Sequence, residues 1–324
     1  MLAFEPVSVA ELRRSFLDHH EHVLRSSLAT VRRYRAATQH LEDFCGQLPS
    51  APPAHEISAD HFVRYLREIH VYPNGHPKSQ RRKLRDTGVL FILETCRSMY
   101  GFAARRRHLP PYAETPFSEL KQFRLRVEDS KPVHVFDAGT EVRFLQELND
   151  WALPIHFVLA KTGLRPGELT HLLIEDLDLD DGWLFVRNKS ALGWRIKTGQ
   201  ERAVPLCPEA AAVFRRVVGQ RQHGVVFLRP RFRDELPTLA GPLSDLESVA
   251  EQRLSQLQNS AEPISRVESA KVLRIVWRDA GLIRTDAIRK AFIRAGLAIE
   301  RPELTCPKCW RKVCSYYRSS LRLR

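Results

Sequence analysis

A short elbow, Gly163-Leu164-Arg165-Pro166-Gly167-Glu168, constrains this chain more than any other segment. The apolar stretch Trp151 to Lys161 precedes it and reads as a buried helix. Helix propensity returns at Gly167-Glu-Leu-Thr-His-Leu, with Pro166 suited to a first helical turn. An arginine is thus held at a sharp corner between two helices. About thirty residues on, Arg195-Ile-Lys-Thr-Gly-Gln-Glu-Arg-Ala-Val-Pro-Leu206 reads as a β-hairpin with Lys197 just before its Thr-Gly turn. A fixed guanidinium and a hairpin ammonium together point to a phosphate, because arginine forks onto two phosphate oxygens and never deprotonates, while lysine can also give up a proton.

Charge agrees with that reading. Lys and Arg number 51 against 38 Asp and Glu, a net of +13, which favours a polyanionic partner. The 324 residues suffice for two domains, and a hydrophobic fraction of 43% suffices for real cores. Six cysteines, at 45, 96, 207, 306, 309 and 314, form no regular framework and are expected as reduced thiols. Cys306 and Cys309 lack the second pair that a structural zinc site needs, so no metal and no cofactor is expected. No apolar run reaches the roughly 18 residues of a membrane span, and no secretory leader opens the chain, which predicts a cytoplasmic protein with no membrane partner.

Along the chain, apolar spacing of three and four predicts helices from about Val9 to Gln47, with Ser27 to Thr30 offering an internal cap, and another from Ser58 carrying Phe62, Tyr65, Leu66 and Ile69. His19, His20 and His22 are expected on an exposed helix face. Tyr72 to Pro77 is a turn. Lys78 to Arg107 reads as one long helix or a helical pair, with Lys78, Arg81, Arg82, Lys83 and Arg85 at its start and Arg105, Arg106 and Arg107 at its end. Such clusters are candidate phosphate contacts. A linker is placed near residues 125–135. Beyond it come helices at Val142–Leu148 and Glu209–Arg221, a strand at Trp183–Arg187 paired with Ile196–Pro205, a short strand or core segment at Val225–Leu228, a helix over Glu247–Leu257 and an arginine-rich helical stretch from Ser269 to Arg294. The fold class is mainly α with a small antiparallel β-sheet.

At Thr162-Gly-Leu-Arg-Pro-Gly-Glu-Leu169 and Lys197 the chain resembles the tyrosine recombinase, or phage integrase, family. The resemblance implies a helical, SAM-like core-binding domain over residues 1–130, which contacts DNA, and an α+β integrase-like catalytic domain over 131–324. Thr30-x-x-x-Tyr34 with Leu41 and Phe44 resembles the opening of that first domain. It also implies that Arg165 is the first catalytic arginine, Glu168 its supporting carboxylate and Lys197 the catalytic lysine, with Lys189 a rival on the preceding turn. The partner would be double-stranded DNA, with other recombinase protomers.

The family's second motif, His-x-x-Arg, finds its match at Cys306-Pro-Lys-Cys-Trp-Arg-Lys312, which resembles the Pro-Lys-x-Trp-Arg version; Lys308 and Arg311 then complete the catalytic set. The family places its nucleophilic tyrosine about 30 residues further on, after a Gly-His pair. Only thirteen residues follow Arg311, and Tyr316 and Tyr317 lie five and six residues beyond it, out of that order. The expectation is therefore a DNA recombinase of this family with a C-terminally incomplete catalytic domain, one that binds DNA without forming a 3′-phosphotyrosine adduct. The competing readings are a non-catalytic DNA-binding remnant and a basic structural or RNA-associated protein.

Overall fold

The computed structural model describes residues 4–75, 78–111, 114–118, 125–129, 134, 136–232, 235–258 and 264–305. The chain divides into two compact units, Met1–Lys131 and Pro132–Arg324.

The first unit is built on four helices: α1 (Val9–Asp18), α2 (Leu28–Cys45), α3 (Ala59–Glu68) and α4 (Asp86–Arg105). Ser8, Ser27 and Ser58 cap the first three by accepting the free N–H groups of Glu11, Thr30 and His61. The apolar faces close on one core containing Phe16, Leu41, Phe62, Leu66, Met99 and Tyr100, and the Tyr100 hydroxyl donates to the Ala54 carbonyl at 2.8 Å. Between α1 and α2 the chain makes a π-helical turn, His19–Val23. That turn corrects the expectation for its histidines. His19 and His20 are half-buried, with the His20 ring 4.6 Å from Phe16 and 4.9 Å from Tyr34, and only His22 is exposed.

A second correction concerns the long helix expected from Lys78. Its first residues form a small antiparallel hairpin instead, β1 (His70–Val71) with β2 (Arg82–Lys83), and α4 begins only at Asp86. The physical reason is the helix dipole. Five cations in the first two turns would sit against its positive end, whereas Asp86 complements it. Asp86 also fixes the end of the unit: its carboxylate accepts the Glu128 N–H and Asp129 accepts the Asp86 N–H, both at 3.0 Å. Residues 125–129, expected within the linker, thus belong to the first unit.

The second unit opens with α5 (Ala138–Gln146), α6 (Ala152–Thr162) and the short α7 (Pro166–Thr170). A three-stranded antiparallel sheet follows, β3 (Leu177–Asp178), β4 (Trp183–Val186) and β5 (Arg202–Pro205), in that spatial order. Then come α8 (Pro208–Val218), α9 (Leu243–Gln258), α10 (Arg266–Asp279) and α11 (Thr285–Ala298). The expected strand from Ile196 shortens to β5, because Lys197–Gly199 turns on Gly199 in the left-handed region (φ 73°). Val225–Leu228 forms only isolated bridges to Leu173 and Leu282. The arginine-rich stretch is two helices, broken at Gly281 (φ 84°). The larger core gathers Phe144, Ile155, Leu159, Leu164, Leu169, Leu184, Phe214 and Phe292, and a smaller one holds Leu173, Leu192, Val276 and Trp277. Among the described residues no helix is long and apolar enough to cross a membrane.

Candidate functional site

The elbow at Arg165 is determined from both sides. Gly163 ends α6 in the left-handed conformation (φ 68°), and its N–H donates to the Leu159 carbonyl. Leu164 is fully buried and anchors the corner. Pro166 forces its predecessor into extended backbone, and Arg165 has φ −74° and ψ 146°. The arginine backbone is therefore set before its side chain makes any contact.

Glu168 sets the side chain. Its carboxylate is buried, with 2% of the side chain exposed, and takes four hydrogen bonds. Oε1 accepts from Arg165 Nη1 at 2.6 Å and Oε2 from the Arg165 backbone N–H at 2.8 Å. Arg202 supplies the other two as a fork, Nη1 to Oε1 at 3.2 Å and Nη2 to Oε2 at 2.7 Å. Burial by itself would raise the Glu168 pKa, but the bonds from Arg202 and Arg165 outweigh it and hold the carboxyl below its ordinary value. Arg202 opens β5 opposite Val186, so the sheet carries its guanidinium to α7.

The two lysines that compete in the sequence separate by burial. Lys189 is 3% exposed, and its ammonium pairs with the buried Asp176 carboxylate at 2.8 Å beside the Trp194 ring. Lys197 is exposed on the turn that leads into β5. Asn188 clamps that turn: its Oδ1 accepts the Ile196 N–H at 2.9 Å and its Nδ2 donates to the Gly199 carbonyl at 3.1 Å. Beside Lys189, His171 lies stacked on Trp194 and edge-on to Trp277, each at 4.9 Å. Burial first, and the charge of Lys189 after it, press its pKa down to about 4, against the pull of its bond to the Gly167 carbonyl.

Arg202 and Asn188 were not singled out in the sequence. An arginine on an exposed strand edge has no local mark, although its place five residues after Lys197 puts it on the strand that the turn must join. A third residue comes from α11, which packs against α5, α6 and α7. Ile288, Ala291, Phe292 and Ala295 face the core, and Arg284, Asp286, Arg289 and Lys290 are exposed. Asp286-Ala-Ile-Arg289-Lys290 repeats the x-x-Arg spacing of the second motif with an aspartate in the histidine position. Its aspartate and its place inside an expected longer helix hid it. Lys308, Arg311, Tyr316 and Tyr317 lie outside the described residues.

In the first unit Lys78, Arg81, Arg82, Lys83 and Arg85 are exposed on and around β2, and Arg105, Arg106 and Arg107 are exposed at the far end of α4. Arg81 is braced by the His70 carbonyl at 2.8 Å and by the Tyr72 ring, and Arg106 lies over Phe102. At about 1.5 Å per residue the two clusters stand roughly 30 Å apart along the helix. Among the described residues no group of His, Cys, Asp and Glu could hold a metal ion.

A model of the phage integrase family matches residues 137–258. No curated protein matches the chain in sequence. Among solved structures, the Tn1549 transposon integrase in complex with a circular intermediate DNA is similar over 98% of this chain and 100% of its own, at 16% identity and a TM-score of 0.50. The same integrase in complex with transposon right end DNA is similar over 91% and 99%, at 15% identity and a TM-score of 0.51. At such identities the likeness is one of fold.

Proposed function

Since residues 137–258 belong to the phage integrase, or tyrosine recombinase, family, we propose that this chain binds duplex DNA and breaks and rejoins its strands through a 3′-phosphotyrosine. The observation that carries the reading is the Arg165–Glu168–Arg202 network, which ties a half-buried arginine at a rigid elbow to the strand following Lys197. In this reading the first unit is the core-binding domain and the second the catalytic domain, working in the cytoplasm with other recombinase protomers. The cations flanking α4 grip the sugar-phosphate backbone. Arg165 stabilises the five-coordinate phosphorane, and Lys197 protonates the departing 5′ oxygen. A tyrosine oxygen forms the new bond to phosphorus as that oxygen leaves. One phosphoester replaces another, so the step needs no metal and no nucleotide.

The second arginine has two candidates. Arg311, with Lys308 before it, matches the second motif by its Trp-Arg sequence. Arg289 is favoured by the packing of α11 on α7, which carries Glu168. The choice decides the nucleophile. Counted from Arg311, Tyr316 and Tyr317 come too early; counted from Arg289 they come 27 and 28 residues later, close to the family's spacing of about 30.

The test selects the bound site from a random duplex library and rebuilds it with a nick beside each candidate cleavage position. A protein–DNA band that survives denaturation and vanishes in Arg165→Ala, in Arg289→Ala and in one of Tyr316→Phe or Tyr317→Phe is the expected result. Tight site-specific binding with no covalent band supports the second reading, a non-catalytic DNA-binding protein. No binding to any duplex overturns both.

A further inference from the structure

We infer that Arg202 is a positioning residue whose charge makes the Arg165 elbow a phosphate site, an inference that rests on the proposed DNA reading. Arg165 meets a difficulty that its own contacts create. Its guanidinium touches a buried carboxylate at 2.6 Å, and an isolated Arg165–Glu168 pair is electrically neutral. A neutral pair offers a phosphate hydrogen-bond donors but little net attraction. Arg202 changes the balance. By forking onto both Glu168 oxygens it supplies a second cation to one anion, leaving the three-residue cluster with a net charge of one.

Geometry directs that surplus outward. Glu168 is 2% exposed, whereas the Arg165 and Arg202 side chains are 30% and 35% exposed. The anion is thus the buried member and the cations face the solvent. Among the described residues the Arg165 side chain bonds only through Nη1, which leaves its other donors for a ligand. Glu201, beside Arg202 in sequence, turns its carboxylate to the Asn188 N–H at 2.8 Å, and among the described residues it forms no ion pair with Arg202 or Arg165.

A bracing role alone would predict something different from a charge role. If Arg202 served only to hold Glu168 still, removing both residues would leave Arg165 unsupported and the site lost. If Arg202 serves to offset Glu168, removing both leaves Arg165 with its full charge, and the site is kept. The salt dependence of DNA binding reads the difference, because each phosphate neutralised on duplex DNA contributes about 0.9 to the slope of log K against log salt.

The experiment titrates the full chain with a 30-base-pair duplex across salt concentrations, with thermal melting to confirm folding. Arg202→Gln is expected to lower the slope by about one. Arg202→Lys is expected to keep the wild-type slope, and so is the double variant Glu168→Gln with Arg202→Gln. A wild-type slope in Arg202→Gln, or a lowered slope in the folded double variant, overturns the charge role. The double variant leaves no buried ion at this elbow, so it decides the matter even if Arg202→Gln fails to fold. A wild-type chain that binds no duplex overturns the DNA reading instead, and the inference falls with it.

Discussion

Two buried carboxylates in the second unit use their cations in opposite ways. Glu168 keeps both of its arginines at the surface, while Asp176 draws Lys189 inside. Removing one partner of a buried pair strands the other charge, which costs about 3–5 kcal/mol. Lys189→Met should therefore destabilise the protein by about that amount in urea unfolding, while Lys197→Met at an exposed turn should change stability by less than about 0.5 kcal/mol. Equal effects would mean that burial does not separate the two lysines as stated, and a larger effect at Lys197 would mean that they are assigned the wrong way round. The sequence favoured Lys197 and kept Lys189 as a rival because both lie close to the hairpin; burial separates them, through the pair that Lys189 makes with Asp176, 13 residues away. Arg165 and Glu168 were legible because their corner is written in Gly, Leu and Pro, whose backbone demands are local. Arg202 was not, because its partner lies 34 residues away in sequence.

Histidines give the same unit a pH dependence. Burial presses His156 down to about 3, and burial with Lys189 presses His171 to about 4. Both are neutral when folded and take up protons more readily when unfolded, so their stabilisation is complete above about pH 6.5 and declines as pH falls. The decline should run from about pH 6.5 to 4 for His171 and continue toward 3 for His156. His171→Asn is expected to flatten the upper part of that window in melting temperature measured against pH. An unchanged slope between pH 6 and 4 would count against the buried, neutral imidazole.

At the scale of elements, the helices with a clean apolar stripe and a serine cap were readable, as Ser27 and Ser58 show. The hairpin at 70–83 was not. Its strands are two residues long, too short to show alternation, and their charge resembles a solvated helix face. The break between α10 and α11 was missed for a different reason. Apolar spacing runs on through Leu282, Ile283 and Ile288, and only Gly281 marks the stop. That glycine has φ 84°, and a Cβ there would lie 2.6 Å from Pro237 Cγ and 2.7 Å from Leu228 Cδ2. Gly281→Ala should thus cost about 1–3 kcal/mol or more through strained backbone and overpacking. Chemical denaturation checks it, and a cost near zero would show that the turn between the helices is not held as described. The consequence reaches the site, since this turn sets where α11 begins and hence where Arg289 stands.

For the whole molecule the quantity that matters is the excess of positive charge and how it is shared. The first unit, Met1–Lys131, has 21 basic and 15 acidic residues, and the second, Pro132–Arg324, has 30 and 23. Each unit is basic in its own right, so neither is a neutral passenger on the other. Within the first, the exposed cations are concentrated around β2 and at the end of α4, roughly 30 Å apart, a span of about nine base pairs at 3.4 Å each. Two clusters at that separation can meet one duplex at successive turns of its backbone. Neutralising about six phosphates should make affinity fall about a thousandfold between roughly 50 and 200 mM salt. The clusters should contribute separately. Replacing Arg81, Arg82 and Lys83 together by glutamine is expected to lower the salt slope by two to three, and replacing Arg105, Arg106 and Arg107 to do the same, each with only a small loss of melting temperature because all six are exposed and the braces of Arg81 and Arg106 are surface contacts. If the hairpin set alone carried the effect, the far end of α4 would face away from DNA. If neither set changed the slope, the cations that bind would have to lie elsewhere, at Lys78, Arg85 and other cations of the first unit or around Arg165, Arg202 and α11 in the second.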